Sequence, residues 1–546
     1  MILGLKARRF CSCFDCWRLL YISAMQTKLT VPIAAKNIEK ARRQIKAART
    51  AGADMLELRV DYFEGLSTDL VTGLVDEIKS GDDEAIPLIV TCRDAKQGGA
   101  IDYPQQLRVD TLVAAIKAGA EFIDFEYENF LDSQSREKIE TALSQSPNAR
   151  LILSVHNFDG AFDDIGKLCR DILAASPGAI PKLVYTANHI NDCFDAFDLL
   201  HEADGERIVF CMGGPGLISR IIAKKLGSLV TFASIDPESA TAPGQLTIEQ
   251  FRNLYLADCI DTETELFGVI ADPVGHSLSP AIHNACFGEQ DMNRLYLPLL
   301  VQGGQQEFDS FLRSAFTREW LNFHGFSVTI PHKRSALDYV RASDGFVEPL
   351  AEKIGAANTV VAESDGKLAA YNTDYAGALD AITAGMGITR AEFEGMPVAV
   401  VGAGGVSRAI VAGLSDAGAQ VKIYNRTLEK AERLAGEFNC EFAPLDELRS
   451  LDAKLVINCT SIGMHPKVDA TPVPQESLTP DMAVFDTVYN PARTLLLKQA
   501  ESKNAKTIDG ISMFVNQAMT QFRLFTGTDG NAELMRKTVC DCLFQE

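Results

Sequence analysis

Between Leu29 and Ser234 the chain repeats one pattern eight times: a short apolar run whose last positions turn polar. The runs are Leu29–Ala35, Met55–Tyr62, Pro87–Arg93, Phe122–Glu128, Leu151–Phe158, Ile180–Ala187, Arg207–Gly213 and Leu229–Ser234, with helix-period stretches such as Ile38–Ala51 and Tyr103–Ala118 between them. Eight strand-helix units predict a closed (β/α)8 barrel over residues 26–257, with its active site at the carboxyl ends of the strands. Beyond a polar linker, Asp261-Thr262-Glu263-Thr264, the pattern changes. Leu266–Ile270 reads as a strand, and Phe326–Lys333 as a strand delivering a lysine onto a new helix. Val398–Val401 reads as a strand leading through a glycine turn into a helix, with a second strand at Val421–Tyr424. The architecture expected is α/β: the barrel, then a two-lobed module. One lobe covers 264–370 and is completed by 511–546; a Rossmann-type nucleotide domain fills 371–510.

At 546 residues the chain is too long for one core, and its 47% hydrophobic and 23% charged content is that of ordinary globular protein. A net charge of −21 argues against nucleic-acid and anionic-membrane partners, which need a basic surface, but leaves room for small anions held by local arginines. Most of the 13 cysteines sit singly in apolar runs, which favours reduced thiols in a cytoplasmic protein. Cys11, Cys13 and Cys16 cluster, as do Cys540 and Cys542, but no His/Cys set completes a tetrahedral site, so no metal is expected. Residues 1–25 read as an extension, disordered or preceding a true start at Met25, with a short targeting peptide as the alternative.

Lys182 interrupts the apolar run Ala179–Tyr185. It is either a lysine snorkelling from a strand end or an amine whose desolvation makes it nucleophilic toward a carbonyl. His156 closes the preceding strand, which would set a proton carrier beside that amine. Glu57, Arg59 and Asp61 alternate on one strand face, Arg93 ends strand three and Arg220 closes a glycine-rich loop. Thr241 and Gln245 add a hydroxyl and an amide after strand eight. Three arginines converging on a lysine imply a substrate carboxylate in a bidentate clamp.

The segments Glu57–Asp61, Thr91–Arg93, Ser154–Phe158, Lys182, Gly216–Arg220 and Ala242–Gln245 resemble type I 3-dehydroquinate dehydratase over residues 26 to 250. That resemblance implies an imine between Lys182 and the substrate ketone, with His156 moving the proton of the eliminated water. One departure stands out: Gln97 occupies a position where the family carries Glu. A carboxylate beside His156 would raise its pKa, whereas an amide only orients the ring, so this dehydratase is expected to titrate at lower pH than its relatives.

In the second module, Ser277 and Ser279 lie in one turn, either capping a helix or facing one anion. Thr329, Lys333, Asn358 and Asp374 suit a polyhydroxylated ring, with Lys333 and Asp374 a proton-donating pair beside a carbonyl. The turn Gly402-Ala403-Gly404-Gly405 departs from the usual fingerprint in having Ser407 at its third glycine position. The second strand ends in Asn425-Arg426-Thr427, where a guanidinium favours a 2′-phosphate and hence NADP(H). With Asn458–Met464, Gly510, Met513 and Gln517, these motifs resemble shikimate dehydrogenase from residue 266 nearly to the end. The resemblance implies Ser277 and Ser279 on the substrate carboxylate, and Thr329, Asn358 and Gln517 on ring hydroxyls. It places Lys333 and Asp374 at the reacting carbonyl, and Gly402, Ala403, Gly404, Gly405, Asn425, Arg426, Thr427 and Met464 around NADP.

The two chemistries join, because dehydration of 3-dehydroquinate yields the ketone that the second activity reduces to shikimate. The order, dehydratase first, also resembles the fused enzyme of plants. The reading is therefore a bifunctional shikimate-pathway enzyme serving chorismate and aromatic amino acid biosynthesis, a lyase and an oxidoreductase on one chain. The alternatives are a second half that oxidises quinate with NAD and a barrel kept only as a ligand sensor.

Overall fold

The computed structural model describes residues 27–80, 86–239, 241, 244–363 and 365–544. The extension read over residues 1–25 and the cysteine cluster within it lie outside this set, as do Ala242 and Pro243 of the motif after strand eight. The chain divides into two compact units that meet at Thr264/Glu265.

The eight runs of the first unit all form strands, each ending one to three residues before its run does. They are β1 (Lys28–Ile33), β2 (Met55–Arg59), β3 (Leu88–Thr91), β4 (Phe122–Glu126), β5 (Arg150–Asn157), β6 (Ile180–Thr186), β7 (Ile208–Met212) and β8 (Val230–Phe232). Parallel ladders join β1 through β7 in order and tie β8 to β1. Among the described residues no ladder joins β7 to β8, so the expected closure is incomplete in backbone hydrogen bonds. A backbone bond from Leu229 N–H to the Arg207 carbonyl at 2.9 Å ties the starts of the two strands, and beyond it the Phe210 and Phe232 rings lie 5.6 Å apart. Because strand side chains alternate, every second residue points inward. An apolar floor that includes Met55, Ile89, Phe122, Ile152, Ile180 and Ile208 gives way, two residues further along, to Glu57, Asp124, Ser154 and Lys182.

The alternation of β2 stops at Arg59. Asp61 belongs to a 3-10 turn, Val60–Tyr62, and is fully buried there, so the one-face reading of Glu57, Arg59 and Asp61 holds only for the first two.

In the second unit a six-stranded mixed sheet has the order β10-β9-β11-β13-β14-β12, where β9 is Glu265–Ala271, β10 Arg294–Leu300, β11 Phe323–Val328, β12 Phe346–Val347, β13 Thr359–Ala362 and β14 Leu368–Tyr371. The closing helices Gly510–Thr526 and Ala532–Phe544 pack against this sheet: Ile511, Val515, Phe522, Met535 and Val539 share one core with Phe267, Ile282 and Tyr296. A second, all-parallel sheet runs β17-β16-β15-β18-β19-β20, with β15 Pro397–Val401, β16 Gln420–Tyr424, β17 Glu441–Ala443, β18 Leu455–Asn458, β19 Ala483–Asp486 and β20 Lys506–Ile508. The strand order reverses between β15 and β18, where doubly wound folds leave a crevice at the carboxyl edge. The helix Thr373–Met386 contributes Ala378, Leu379 and Ile382 to the core under that sheet.

Candidate active sites

The barrel mouth holds a cavity of about 110 Å³ lined by Glu57, Arg59, Arg93, Gln97, His156, Lys182, Arg220, Thr241 and Gln245 among others. All eight residues expected there reach it. Lys182 pairs in register with Ser154, two residues before His156, so the amine sits one inward step deeper than the imidazole. The ammonium lies 2.7 Å from an Asp124 oxygen, 3.5 Å from Glu57 and 4.7 Å from the centre of the Phe232 ring. Asp124 also accepts from Arg93 at 2.7 Å and from Ser154 at 2.6 Å. Burial would raise its pKa, but Arg93 and Lys182 win and hold the Asp124 carboxyl well below the usual range.

The three expected arginines differ in what they can bind. Arg93 spends its guanidinium on Asp124, Glu126 and Ser154, and Arg59 makes two parallel bonds to Asp61 at 2.9 and 2.8 Å. Of the three cations expected to form a clamp, all of which line the cavity, two are paired with carboxylates of the barrel itself. Arg220 is different. It is 1% exposed, and its Nε and Nη2 have no hydrogen-bond partner among the described residues. Burial pushes its pKa down to about 10, and the guanidinium rests 4.5 Å over the Phe210 ring. Gln245 Nε2, on the same cavity, is likewise buried without a partner, while its Oε1 accepts from Thr241. Unpaired buried donors cost roughly 1–3 kcal/mol each, and more when charged, so they mark a place built for an anion.

Burial, reinforced by Arg93 and Lys182, lowers the His156 pKa well below its ordinary value, which leaves a neutral ring able to accept a proton. Sequence reading missed Asp124 and Glu126, whose signal was two carboxylates spaced by two inside the otherwise apolar Phe122–Glu126.

The second unit has a larger cavity, about 340 Å³, lined by strands of the mixed sheet and, on the nucleotide-domain side, by Val406, Thr487 and Tyr489. Ser277, Ser279, Thr329, Lys333, Asn358, Asp374 and Gln517 all face it, joined by Ser327, Tyr489 and Gln521, which sequence reading did not single out. Lys333 opens the helix Lys333–Ala342 and places its ammonium 2.5 Å from Asp374. Asp374 occupies the first turn of Thr373–Met386, whose N-cap, Asn372, accepts from its backbone N–H. Its other oxygen accepts from Asn358 Nδ2 at 2.9 Å. The backbone N–H of Thr373 donates to Asn358 Oδ1 at 2.7 Å, which fixes the amide so that its nitrogen faces Asp374. Ser277 Oγ accepts from the Ser279 backbone, the start of the helix Ser279–Glu289, so capping and anion-facing readings both fit Ser277.

At the edge of β15, Gly402 has φ +115°, and a Cβ there would crowd the Cys459 carbonyl at 3.1 Å. Gly404 and Gly405 have open space where side chains would stand, and Gly404 caps the helix Gly405–Asp416 without a side chain. Helix N–H groups approached over bare backbone suit a pyrophosphate. Ser407 keeps the turn tight by donating to the Gly402 carbonyl at 2.6 Å, which accounts for the departure from the glycine fingerprint. Ala403 follows Gly402 into the turn, Asn425 donates to the Thr427 carbonyl at 2.8 Å, and Arg426 and Thr427 are exposed beside it. Met464 is 45% exposed and does not line the cavity. Among the described residues no group of His, Cys, Asp or Glu is arranged to hold a metal ion, and no helix is long and apolar enough to cross a membrane.

Residues 29–261 match the family model for type I 3-dehydroquinase. Residues 269–360 match the shikimate dehydrogenase substrate binding domain, 387–479 the shikimate/quinate 5-dehydrogenase model and 510–540 the shikimate 5′-dehydrogenase C-terminal domain. The chain is 34% identical over 522 residues to the chloroplastic bifunctional 3-dehydroquinate dehydratase/shikimate dehydrogenase of Arabidopsis thaliana, covering 93% of this chain and 83% of that protein. It is 40% identical to the shikimate dehydrogenase (NADP(+)) of Methanosarcina acetivorans, over 51% of this chain and 98% of that one. A crystal structure of a shikimate dehydrogenase in complex with NADP+ is 36% identical over 52% of this chain and 97% of its own, with a TM-score of 0.47.

Proposed function

The chain belongs to the family of bifunctional 3-dehydroquinate dehydratase/shikimate dehydrogenases, and from that premise we propose how its residues divide the work. The barrel dehydrates 3-dehydroquinate to 3-dehydroshikimate, and the second unit reduces that ketone to shikimate with NADPH. Arg220 and Gln245 receive the substrate carboxylate, because they are the buried donors left without acceptors. The Lys182 amine adds to the ring ketone and expels water, forming a protonated imine. His156 takes a proton from the adjacent carbon, and the electron pair runs into the imine. The ring hydroxyl then leaves as water with a proton returned by His156, and hydrolysis of the imine frees the product and the amine. Asp124 holds Lys182 in place between turnovers, and Glu57 and Arg59 complete the polar wall.

In the second unit Ser277 and Ser279 hold the carboxylate, and Thr329, Asn358 and Gln517 hold ring hydroxyls. Lys333 donates its proton to the ketone oxygen as the alcohol forms, and Asp374 positions that ammonium. The bare turn Gly402–Gly405 receives the pyrophosphate and Asn425, Arg426 and Thr427 the adenosine phosphate end. When bound, NADPH supplies the hydride. The ten cysteines of the described residues are all free, which favours a reducing, cytoplasmic setting.

Purified protein given 3-dehydroquinate and NADPH should consume the nicotinamide without any added dehydratase, and Lys182→Met should abolish that consumption while leaving reduction of supplied 3-dehydroshikimate intact. Equal rates in parent and variant from 3-dehydroquinate would remove Lys182 from its role.

A further inference from the structure

The turn after β3 reaches across the barrel mouth to the end of β5. Its Asp94 N-cap accepts from the Lys96 backbone N–H at 2.9 Å, and the 3-10 turn Ala95–Gln97 ends at Gly98, with φ +87°. Beneath it, buried Arg108 pairs with Asp94 at 2.7 Å and with Glu126 at 2.8 Å, while Asn129 donates to Asp94 at 2.9 Å. Gly99 is wedged so closely that a Cβ would stand 2.2 Å from the Arg93 carbonyl oxygen. A segment fixed by an ion pair, a cap and a steric seat delivers one polar group to the site, the Gln97 amide.

That amide has a defined orientation. Its Oε1 lies 3.1 Å from the backbone nitrogen of His156 and 3.2 Å from the ring Nδ1. A backbone N–H only donates, so the atom facing it is the amide oxygen. The same oxygen, accepting from the backbone, meets Nδ1 as an acceptor too, and Nδ1 must then carry the hydrogen.

We infer that Gln97, held by the Asp94–Arg108 pair, is a positioning residue that locks His156 in its Nδ1–H tautomer, leaving Nε2 as the atom that moves the proton, and that it does so without a charge that would stabilise the imidazolium. This rests on the dehydratase reading and specifies its base. The groups facing the ring agree with a neutral imidazole: Arg93 from the segment after β3, Lys182 from β6 and Arg59 from β2 oppose its protonation, with Arg220 a further cation on the cavity wall. Asp124 from β4 favours protonation, but it is already matched by Arg93 and Lys182, and Glu57 lies against Lys182. A ring that takes a proton only transiently returns it readily, which suits an elimination needing the same proton back within one turnover.

The test uses full-length protein labelled with 15N-histidine, with the His156 signals assigned by their loss in His156→Asn. Parent protein should show a protonated Nδ1 and an unprotonated Nε2, unchanged down to pH 6. Gln97→Glu keeps the acceptor and adds a charge, so it should keep the tautomer and move the acid limb of dehydratase kcat/KM upward by about one pH unit or more. Gln97→Leu should mix the tautomers and lower kcat about tenfold with KM little changed, and Gln97→Glu guards against a misfolded leucine variant. An Nε2-protonated ring in the parent, or an acid limb unmoved in Gln97→Glu, overturns the inference. Borohydride with 3-dehydroquinate separates the two levels. Failure to trap the ligand on Lys182 in the parent removes the dehydratase reading, whereas trapping with the wrong tautomer removes only the role of Gln97.

Discussion

Arg220 illustrates a conflict between stability and binding that a single residue can hold. Its charge is buried with two nitrogens unmatched, and an uncompensated buried ion costs several kcal/mol, so the resting protein carries it at a loss. Arg220→Met should therefore raise the urea midpoint of the barrel unit, yet reduce kcat/KM for 3-dehydroquinate by roughly a hundredfold or more, the size of about 3 kcal/mol. A loss of stability without loss of activity would assign the guanidinium to the fold instead. Sequence reading found Arg220 but ranked it equally with Arg59 and Arg93. The difference lies in partners, and partners such as Asp124 and Glu126 come from another strand, which spacing along one segment does not reveal. Lys182 and His156 were legible because a charged or titratable group inside an apolar strand is costly and needs a reason.

Strand ends and the turns after them carry nearly every functional group, and here the sequence was most informative. The last positions of the runs turned polar, because a strand side chain facing a water-filled mouth has no reason to be apolar. The turn after β16 shows how an element sets a preference. Arg426 stands exposed with no carboxylate in Asn425-Arg426-Thr427 to meet ribose hydroxyls. Arg426→Asp should raise KM for NADPH tenfold or more and improve use of NADH, measured as the ratio of kcat/KM values for shikimate formation; an unchanged ratio would place the phosphate elsewhere. What the pattern hid was part of what the closing helix Gly510–Thr526 brings to the cavity. Its Gln517 was found by motif, but Gln521, one turn on, was not, since both read as ordinary polar positions on an amphipathic face. The 3-10 turn at Val60–Tyr62 was hidden for a similar reason: alternation continues through Asp61 in the sequence although the strand has ended.

At the scale of the molecule, the boundary at Thr264/Glu265 was legible from a polar linker between two incompatible hydrophobic rhythms. The incomplete ring of the barrel was not, because the run at Leu229–Ser234 looked no weaker than the others, yet only Val230–Phe232 forms strand. Seven sides of the wall are stitched by amide ladders, while the eighth has the Leu229–Arg207 backbone bond at its amino-terminal edge and, further along, the facing rings of Phe210 and Phe232. Those rings also sit under Arg220 and Lys182, so the seam and the two site cations lean on the same pair of aromatics. Amide hydrogens of Ile208–Met212 should exchange faster than those of β4 and β5, and a bound ligand bridging the two cations should slow them; equal protection throughout would mean the wall has no weak side. With its seam joined at the base and open at the mouth, the barrel breathes like a cuff split at one rim, gripping hardest when something anionic draws the two lips together.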